Sequence, residues 1–416
     1  MDFTHYFTYI IYQVNKSYKV RLYPTTTQAK TIDQTIGNVR FIYNQMLAER
    51  ISVYEKLKDD RENLYSHKYK TEKEYKQEFP FLKKGSSWAL QQARGNLDTA
   101  YRNFFKSLTK GKKVGFPKFK KKSKSKWSYR DSQTGRFIRI EDSRIVLLKL
   151  GKVKFRGLPE NFSGKICSVT VSKDRDNKYY ASILVEKPIP DKKFRTGNNT
   201  LGLDLGLKTF AVDSSGNFYN GIKEQVNKIE NKIRHLQKHF SRKKNPSNRK
   251  EKLRVRIAKQ YKYKTNLQNH FFRHLANQLC RDNQTIVIEN LAVGNMMKNR
   301  KLSHAIHQAG WGRFIEILKQ KSVEYFTDVV EAPRFFPSSK TCSSCGQVKE
   351  ILSLSDRVFT CDCGNSLDRD LNAAVNLKKY ISAEYADNTR GEGVRPINWI
   401  FQLDGNFLRN ENLNYG

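Results

Sequence analysis

Residues 200–216 read TLGLDLGLKTFAVDSSG. Leu201, Leu203 and Leu205 alternate with Gly202, Asp204 and Gly206, the period of a strand with one apolar face. The other face carries a carboxylate between two residues that have no side chain. On a core strand that arrangement predicts room for a hydrated cation beside Asp204. Asp213-Ser214-Ser215-Gly216 predicts a turn, so the stretch reads as two strands opening a new domain near residue 200.

Two long helices follow. Val226, Ile229, Ile233, Leu236 and Phe240 mark the first; Leu253, Ile257, Leu267 and Phe271 mark the second, and Asn245-Pro246-Ser247-Asn248 separates them. Residues 221–280 hold 17 Lys/Arg against three Glu, which predicts a cationic outer face. TIVIEN (285–290), a helix around Trp311, Phe314, Ile315 and Leu318, and DVVEAP (328–333) then alternate strand, helix, strand. That order predicts an α/β nuclease-type core.

Two further acids stand where chemistry would want them. Glu289 ends an apolar run, an expensive place for a carboxylate unless it is paired or bound to metal. Asp368 and Asp370 open DRDLNAAVNLKKY (368–380), where acids favour a helix start. Two residues apart on a helix they diverge, so one should face a shared centre. Asp370 shares a face with Ala373 and Ala374, which let a helix approach a sheet; Asp368 is left as cap or supporting group. Asp204, Glu289 and Asp370 together supply hard oxygen ligands for Mg²⁺ or Mn²⁺, as two-metal phosphodiester hydrolysis requires.

Cys342-Ser-Ser-Cys345 and Cys361-Asp-Cys363 are two thiol pairs of the kind that hold a structural Zn²⁺ tetrahedrally. Gly346 and Gly364 follow them, where a knuckle turn wants positive φ. The site would be closed, with no part in catalysis. His235/His239 and His270/His274 are i,i+4 pairs, but neither has the glutamate of a zinc-protease helix; they read as helix-face residues near nucleic acid.

Toward the N-terminus, Tyr18, Val20 and Leu22 alternate against Lys19 and Arg21 as a strand ending at Pro24, and Thr25 with Gln28 forms a capping-box signature. Ile32, Ile36, Val39, Tyr43 and Leu47, then Leu90, Ala93, Leu97, Tyr101, Phe104 and Leu108, give apolar helix faces, so 25–108 reads as a helical insertion. Residues 106–126 carry ten lysines and no acid, interleaved with Phe116, Phe119 and Trp127. They predict a phosphate-contacting strip, with Lys112, Lys113, Lys118, Lys120, Lys121 and Lys122 as candidates, joined by Arg242, Lys243 and Lys244. Segments 136–141, 144–150, 152–155, 167–172 and 178–185 are short and turn-separated, predicting a small β-barrel to which strand 17–23 returns. Residues 382–416 read as a flexible tail.

The whole chain has 416 residues, 78 Lys/Arg and 40 Asp/Glu, a formal charge of +38. Nucleic acid is the commonest anion to neutralise such a field. No apolar run approaches the roughly 18 residues of a spanning helix. Residues 7–14 (FTYIIYQV) lack a basic leader and a cleavage site, and four of six cysteines cluster. The expectation is a cytoplasmic, nucleoid-associated protein without membrane contact.

LGLDLGLKTFAV, IVIENL, FFPSSKTCSSCG and CDCGNSLDRDLNAAVNL, in that order, with YKVRLYPTTTQ near the start and TRGEGVRP near the end, closely resemble the TnpB family of transposon-encoded RNA-guided DNA endonucleases, akin to the small type V CRISPR nucleases. The match covers roughly 16–396; residues 1–15 lie outside it. The resemblance implies a multidomain α+β protein: a β-barrel wedge domain (1–24 and 110–198), a helical recognition lobe (25–109), a RuvC-like nuclease of the RNase H fold (199–339 and 366–381) and an inserted zinc ribbon (340–365). It places the catalytic triad on Asp204, Glu289 and Asp370 and the zinc ligands on Cys342, Cys345, Cys361 and Cys363. It implies a guide RNA from the transposon end and a DNA target, double- and single-stranded, cut beside a short adjacent motif. A nuclease-silent RNA-guided repressor would lack the carboxylates that are present here. An RNase H-fold transposase would share them and join ends rather than hydrolyse.

Overall fold

In the computed structural model the described residues are 13–109, 115–123, 125–132, 137–160, 162–188, 199–244, 247–353 and 356–388, side chains of 13, 14, 188 and 382–388 excepted. Lys112, Lys113 and the TRGEGVRP segment lie outside them. The chain divides into two compact units, residues 1–192 and 193–416.

The first unit opens with β1 (Gln13–Tyr23) and, after the Pro24 stop, α1 (Thr26–Leu57). The capping box is formed: Thr25 accepts from the Gln28 backbone N–H at 3.3 Å and returns its own N–H to Gln28 Oε1 at 3.0 Å. The Gln28 amide also donates to the carbonyls of Leu150 and Lys152, both at 3.0 Å, so the helix start is tied to a distant hairpin. Short helices α2 (Arg61–Ser66) and α3 (Glu72–Glu78) and a 3₁₀ turn lead to α4 (Ser87–Thr109). The predicted faces are buried through Ile32, Ile36, Val39, Tyr43, Leu47, Leu90, Ala93 and Leu97; Leu108, at the fraying end of α4, is exposed.

Strands β2 (Ser128–Asp131), β3 (Arg139–Glu141), β4 (Arg144–Leu147), β5 (Gly151–Arg156), β6 (Lys165–Lys173) and β7 (Tyr179–Pro188) join β1 in a seven-stranded antiparallel sheet, in the order β2-β6-β7-β1-β5-β4-β3. β1 returns to this module as expected, pairing with β7 along Gln13–Leu22 and with β5 only at Arg21–Tyr23, so the sheet curls about that corner. The expected barrel is not closed by hydrogen bonds among the described residues. β2 and β3 stand at the two ends, and strands of four and three residues are too short to complete the staggered pairing of a barrel. Helices and sheet share one continuous apolar core, from Val20 through Leu97 to Val185.

The second unit opens with β8 (Thr200–Leu205), β9 (Ala211–Asp213) and β10 (Phe218–Tyr219). The stretch 200–216 thus holds two strands, β8 and β9, joined by a turn at 206–210, and the 213–216 turn leads on to a third, β10. Helices α5 (Lys223–Ser241) and α6 (Asn248–Asp282) precede β11 (Thr285–Glu289); α7 (Val293–Met296), α8 (Ser303–Ala309) and α9 (Trp311–Tyr325) precede β12 (Asp328–Ala332). The sheet order is β10-β9-β8-β11-β12, with β8, β11 and β12 parallel and the β8-β9-β10 pairings antiparallel. A two-stranded ribbon, β13 (Val358–Thr360) and β14 (Ser366–Asp368), leads into α10 (Arg369–Asn388). The expected tail thus starts too early: the helix continues seven residues past 381. No described helix is long and apolar enough to cross a membrane.

The two faces of this sheet do different work. Leu201, Leu203, Leu205, Ile286 and Ile288 pack with Phe272, Leu275, Leu279, Phe314 and Leu318 of α6 and α9. Val287 and Ala332, on the opposite face, pack with Leu377 of α10. The alternation within β8 and β11 puts Gly202, Asp204 and Glu289 on the α10 side.

Candidate active site and four-cysteine cluster

Asp204 and Glu289 arrive from neighbouring parallel strands. Leu203 pairs with Ile288, so the two acids sit one step further along at the same level. The third acid depends on α10, and α10 depends on Gly202. A Cβ at position 202 would fall 1.9 Å from the Ala374 carbonyl oxygen and 2.5 Å from the Lys378 nitrogen. The small residue serves helix contact there and leaves no room for a cation, which corrects one part of the sequence reading. Gly206 does adjoin the acids: a Cβ there would lie 3.7 Å from Asp370 Oδ2. Asp368 caps the helix as expected, its Oδ1 accepting from the Asp370 and Leu371 backbone N–H groups at 2.9 and 3.2 Å.

The three carboxylates feel one another. Burial, then the charges of Glu289 and Asp370, hold the Asp204 carboxyl well above the usual aspartate range; the Arg369 guanidinium opposes this. Arg369 also lies 3.6 Å from Asp370 Oδ1. The Ser338 hydroxyl donates to Glu289 Oε1. Ser338 is buried and had no role in the sequence reading, although it falls within FFPSSK. The oxygen donors suit a hard divalent cation, which would relieve the repulsion. The trio is not a tight single-ion cage, since among the described residues only the four cysteines place all their ligand atoms within 4.8 Å of one another.

The cysteines fit zinc closely. Four thiolates at about 2.3 Å from a tetrahedral Zn²⁺ sit about 3.8 Å apart. Cys342 and Cys363 sulfurs are separated by 3.7 Å, Cys345 and Cys361 by 3.6 Å. Gly346 and Gly364 have φ of 81° and 85°, as the knuckle turns require. Although burial opposes it, backbone N–H groups of Cys345 and Ser344 and the Asn365 amide bring the Cys342 thiol down to about 6. Although the Asn365 backbone N–H opposes it, the Cys345 sulfur and burial push the Cys363 thiol up to about 12, so of these two only Cys342 is predisposed to bind as a thiolate.

The candidate phosphate contacts divide. Lys118, Lys121, Lys122, Arg242, Lys243 and Lys244 are exposed. Lys120 is held in place: its ammonium sits 3.7 Å from the Tyr43 ring centroid, and its backbone exchanges hydrogen bonds with the Asn44 amide at 2.8 and 3.0 Å. Phe116 packs edge-on to Tyr101 and Phe104, while the Trp127 indole N–H donates to the Lys122 carbonyl at 2.8 Å. These contacts anchor the lysine strip to α4 and the core. His235 and His239 are exposed, their Nε2 atoms 3.1 Å apart on α5.

Comparison with known proteins agrees across nearly the whole chain. Family profiles described as "Helix-turn-helix domain", "Probable transposase" and "Cas12f1-like, TNB domain" match residues 14–59, 181–300 and 311–377. The first region is here a strand and one uninterrupted helix. A Streptomyces pristinaespiralis protein named "Putative RNA-guided DNA endonuclease" is 33% identical over 388 residues, covering 92% of this chain and 93% of its own. Escherichia coli K12 "Putative RNA-guided DNA endonuclease InsQ" is 28% identical, covering 91% and 95%. Acanthamoeba polyphaga mimivirus "TnpB-like protein L79" is 28% identical over 226 residues, covering 51% and 43%. The fold is similar to the protein of a Cas12f1–sgRNA–target DNA complex, with TM-score 0.51 and 14% identity over 88% of this chain and 99% of that one.

Proposed function

The chain belongs to the TnpB-like family of RNA-guided DNA endonucleases, and from that premise we propose that it cleaves DNA beside a short target-adjacent motif, guided by an RNA from the transposon end. The reaction is divalent-metal-dependent phosphodiester hydrolysis. The observation that supports this reading is geometric: Asp204 and Glu289 stand level on neighbouring parallel strands, and Asp370, in the first turn of α10, lies beside Gly206 just past the end of β8.

The second unit supplies a RuvC-like core (199–339 and 366–381), supported by three antiparallel strands continuing into two parallel ones. The four cysteines form the zinc ribbon (340–365). In the first unit the curled sheet serves as wedge domain and the helices as recognition lobe. Asp204, Glu289 and Asp370 would hold Mg²⁺ or Mn²⁺, which when bound would supply activation of water and charge stabilisation at the leaving 3′-oxygen. Ser338 orients Glu289 through its hydroxyl, and Arg369 limits the negative charge beside Asp370. Asp368 fixes the first turn of α10 and so the direction in which Asp370 projects. Lys118, Lys121, Lys122, Arg242, Lys243 and Lys244 contact guide or target phosphates, while base pairing supplies sequence choice.

The test is to purify the full chain with its bound RNA, sequence that RNA, and supply matching duplex DNA with Mg²⁺. Hydrolysed ends, lost on adding a chelator and in D204N, E289Q and D370N variants that still bind RNA, are expected. Joined products would mean a transposase, and retained cleavage in the variants would defeat the residue assignment.

A further inference from the structure

Between β12 and the first cysteine pair lies PSSKT (337–341), and α10 carries NAAVN (372–376). Asn372 and Asn376 are four apart, so they share one helix face, and both are buried. Amides inside a core are costly unless bonded, and both of these are bonded to backbone groups. The Asn376 side chain donates to the carbonyls of Ser338 and Thr341, at 2.8 and 2.7 Å. Asn372 donates to the Thr341 carbonyl at 2.7 Å, and its Oδ1 accepts from the Ser343 backbone N–H at 2.9 Å. Ser343 sits inside the Cys342–Cys345 knuckle. At the other end Ser338 turns its hydroxyl onto Glu289. One bonded series therefore runs from the cysteine knuckle, through two amides of α10, to an acid of the proposed catalytic trio.

We infer that Asn372, Asn376 and Ser338 are positioning residues through which the metal state of the cysteine cluster sets the divalent-ion affinity of the carboxylate site. The inference rests on the reading of Glu289 as a ligand. With zinc bound, the knuckle backbone is fixed, Thr341 and Ser343 meet both amides, and Ser338 holds Glu289 toward its partners. Without zinc the knuckle loses its cross-link and the amides lose fixed acceptors. Glu289 then loses the hydroxyl that holds it toward Asp204. Groups that orient metal ligands typically change affinity about 10- to 100-fold when removed.

The test uses the full chain freed of nucleic acid, titrated with Mn²⁺ while free Mn²⁺ is followed by electron paramagnetic resonance. Zinc content is measured in parallel. S338A and N376A should each weaken Mn²⁺ binding about tenfold while keeping a full complement of zinc. Extracting zinc from the unsubstituted protein should weaken it by a similar factor, and restoring zinc should reverse the loss. Extraction from S338A should add little, because both changes break the same series. Unchanged Mn²⁺ affinity after zinc extraction overturns the inference whether or not the variants fold. So does multiplication of the S338A and extraction effects. E289Q separates the premise from the inference: if it leaves Mn²⁺ binding intact, Glu289 is no ligand; if it weakens binding while S338A does not, the relay alone is wrong.

Discussion

Asp204 shares its face of the sheet with Gly202 and stands level with Glu289, so burial and two neighbouring carboxylates lift its pKa. The folded state then holds this proton more tightly than the unfolded chain. Stability of the metal-free protein should fall as pH rises from the ordinary aspartate range through the raised value, and the penalty persists above it. D204N removes that penalty. Its thermal unfolding in chelator at neutral pH should come out more stable by about 1 kcal/mol, while cleavage is lost. A less stable D204N would mean that the carboxylate is satisfied without metal. Strand alternation and helix-face spacing are local patterns, and they were enough to single out these three acids as candidates. Ser338 and Asn376 were not, because their partners lie 49 and 38 positions away and a serine or asparagine carries no local sign of what it will meet.

α10 reaches β8 only because position 202 has no side chain. G202A would force the Ala374 backbone away and carry Asp370 with it, costing about 1–3 kcal/mol as overpacking does. Chemical denaturation should show that loss together with loss of cleavage; a stable, active G202A would mean that α10 is not held as described. The ribbon invites a second measurement. Removing zinc should raise hydrogen exchange at residues 340–353 and 356–366 far more than in β8 or β11, since the knuckles have little apolar packing of their own. Equal protection with and without metal would contradict a structural zinc site. The helices were legible where one face is plainly apolar, as in α1 and α5. In α6 the sequence pattern marked Leu253, Ile257, Leu267 and Phe271; Phe271 does pack against the core, but the fully buried apolar face is Phe272, Leu275, Ala276, Leu279 and Cys280. β2 was missed because SYRD is too short and polar to show alternation, and α10 outruns its apolar pattern because helix geometry propagates past the last packed turn.

A formal charge of +38 on 416 residues belongs to the molecule as a whole. If six or more phosphates are neutralised, affinity for RNA or DNA should drop about 1,000-fold or more between 50 and 200 mM salt. A flat dependence, read by fluorescence anisotropy, would contradict the phosphate-contact assignment of the exposed lysines. The order of architectures was legible in the chain: a β module with helices, then an α/β core carrying a four-cysteine insertion. Closure of the first sheet was not legible, because whether β2 meets β3 depends on strand length and stagger that composition does not encode. The nuclease reading itself depends on whether the second unit gathers divalent ions where its three acids meet. Crystals soaked in Mn²⁺ and measured at the manganese absorption edge test this directly. The account predicts two anomalous peaks about 3.5–4 Å apart, ringed by Asp204, Glu289 and Asp370. A map with no peak among these carboxylates, at Mn²⁺ concentrations that support cleavage, would contradict it.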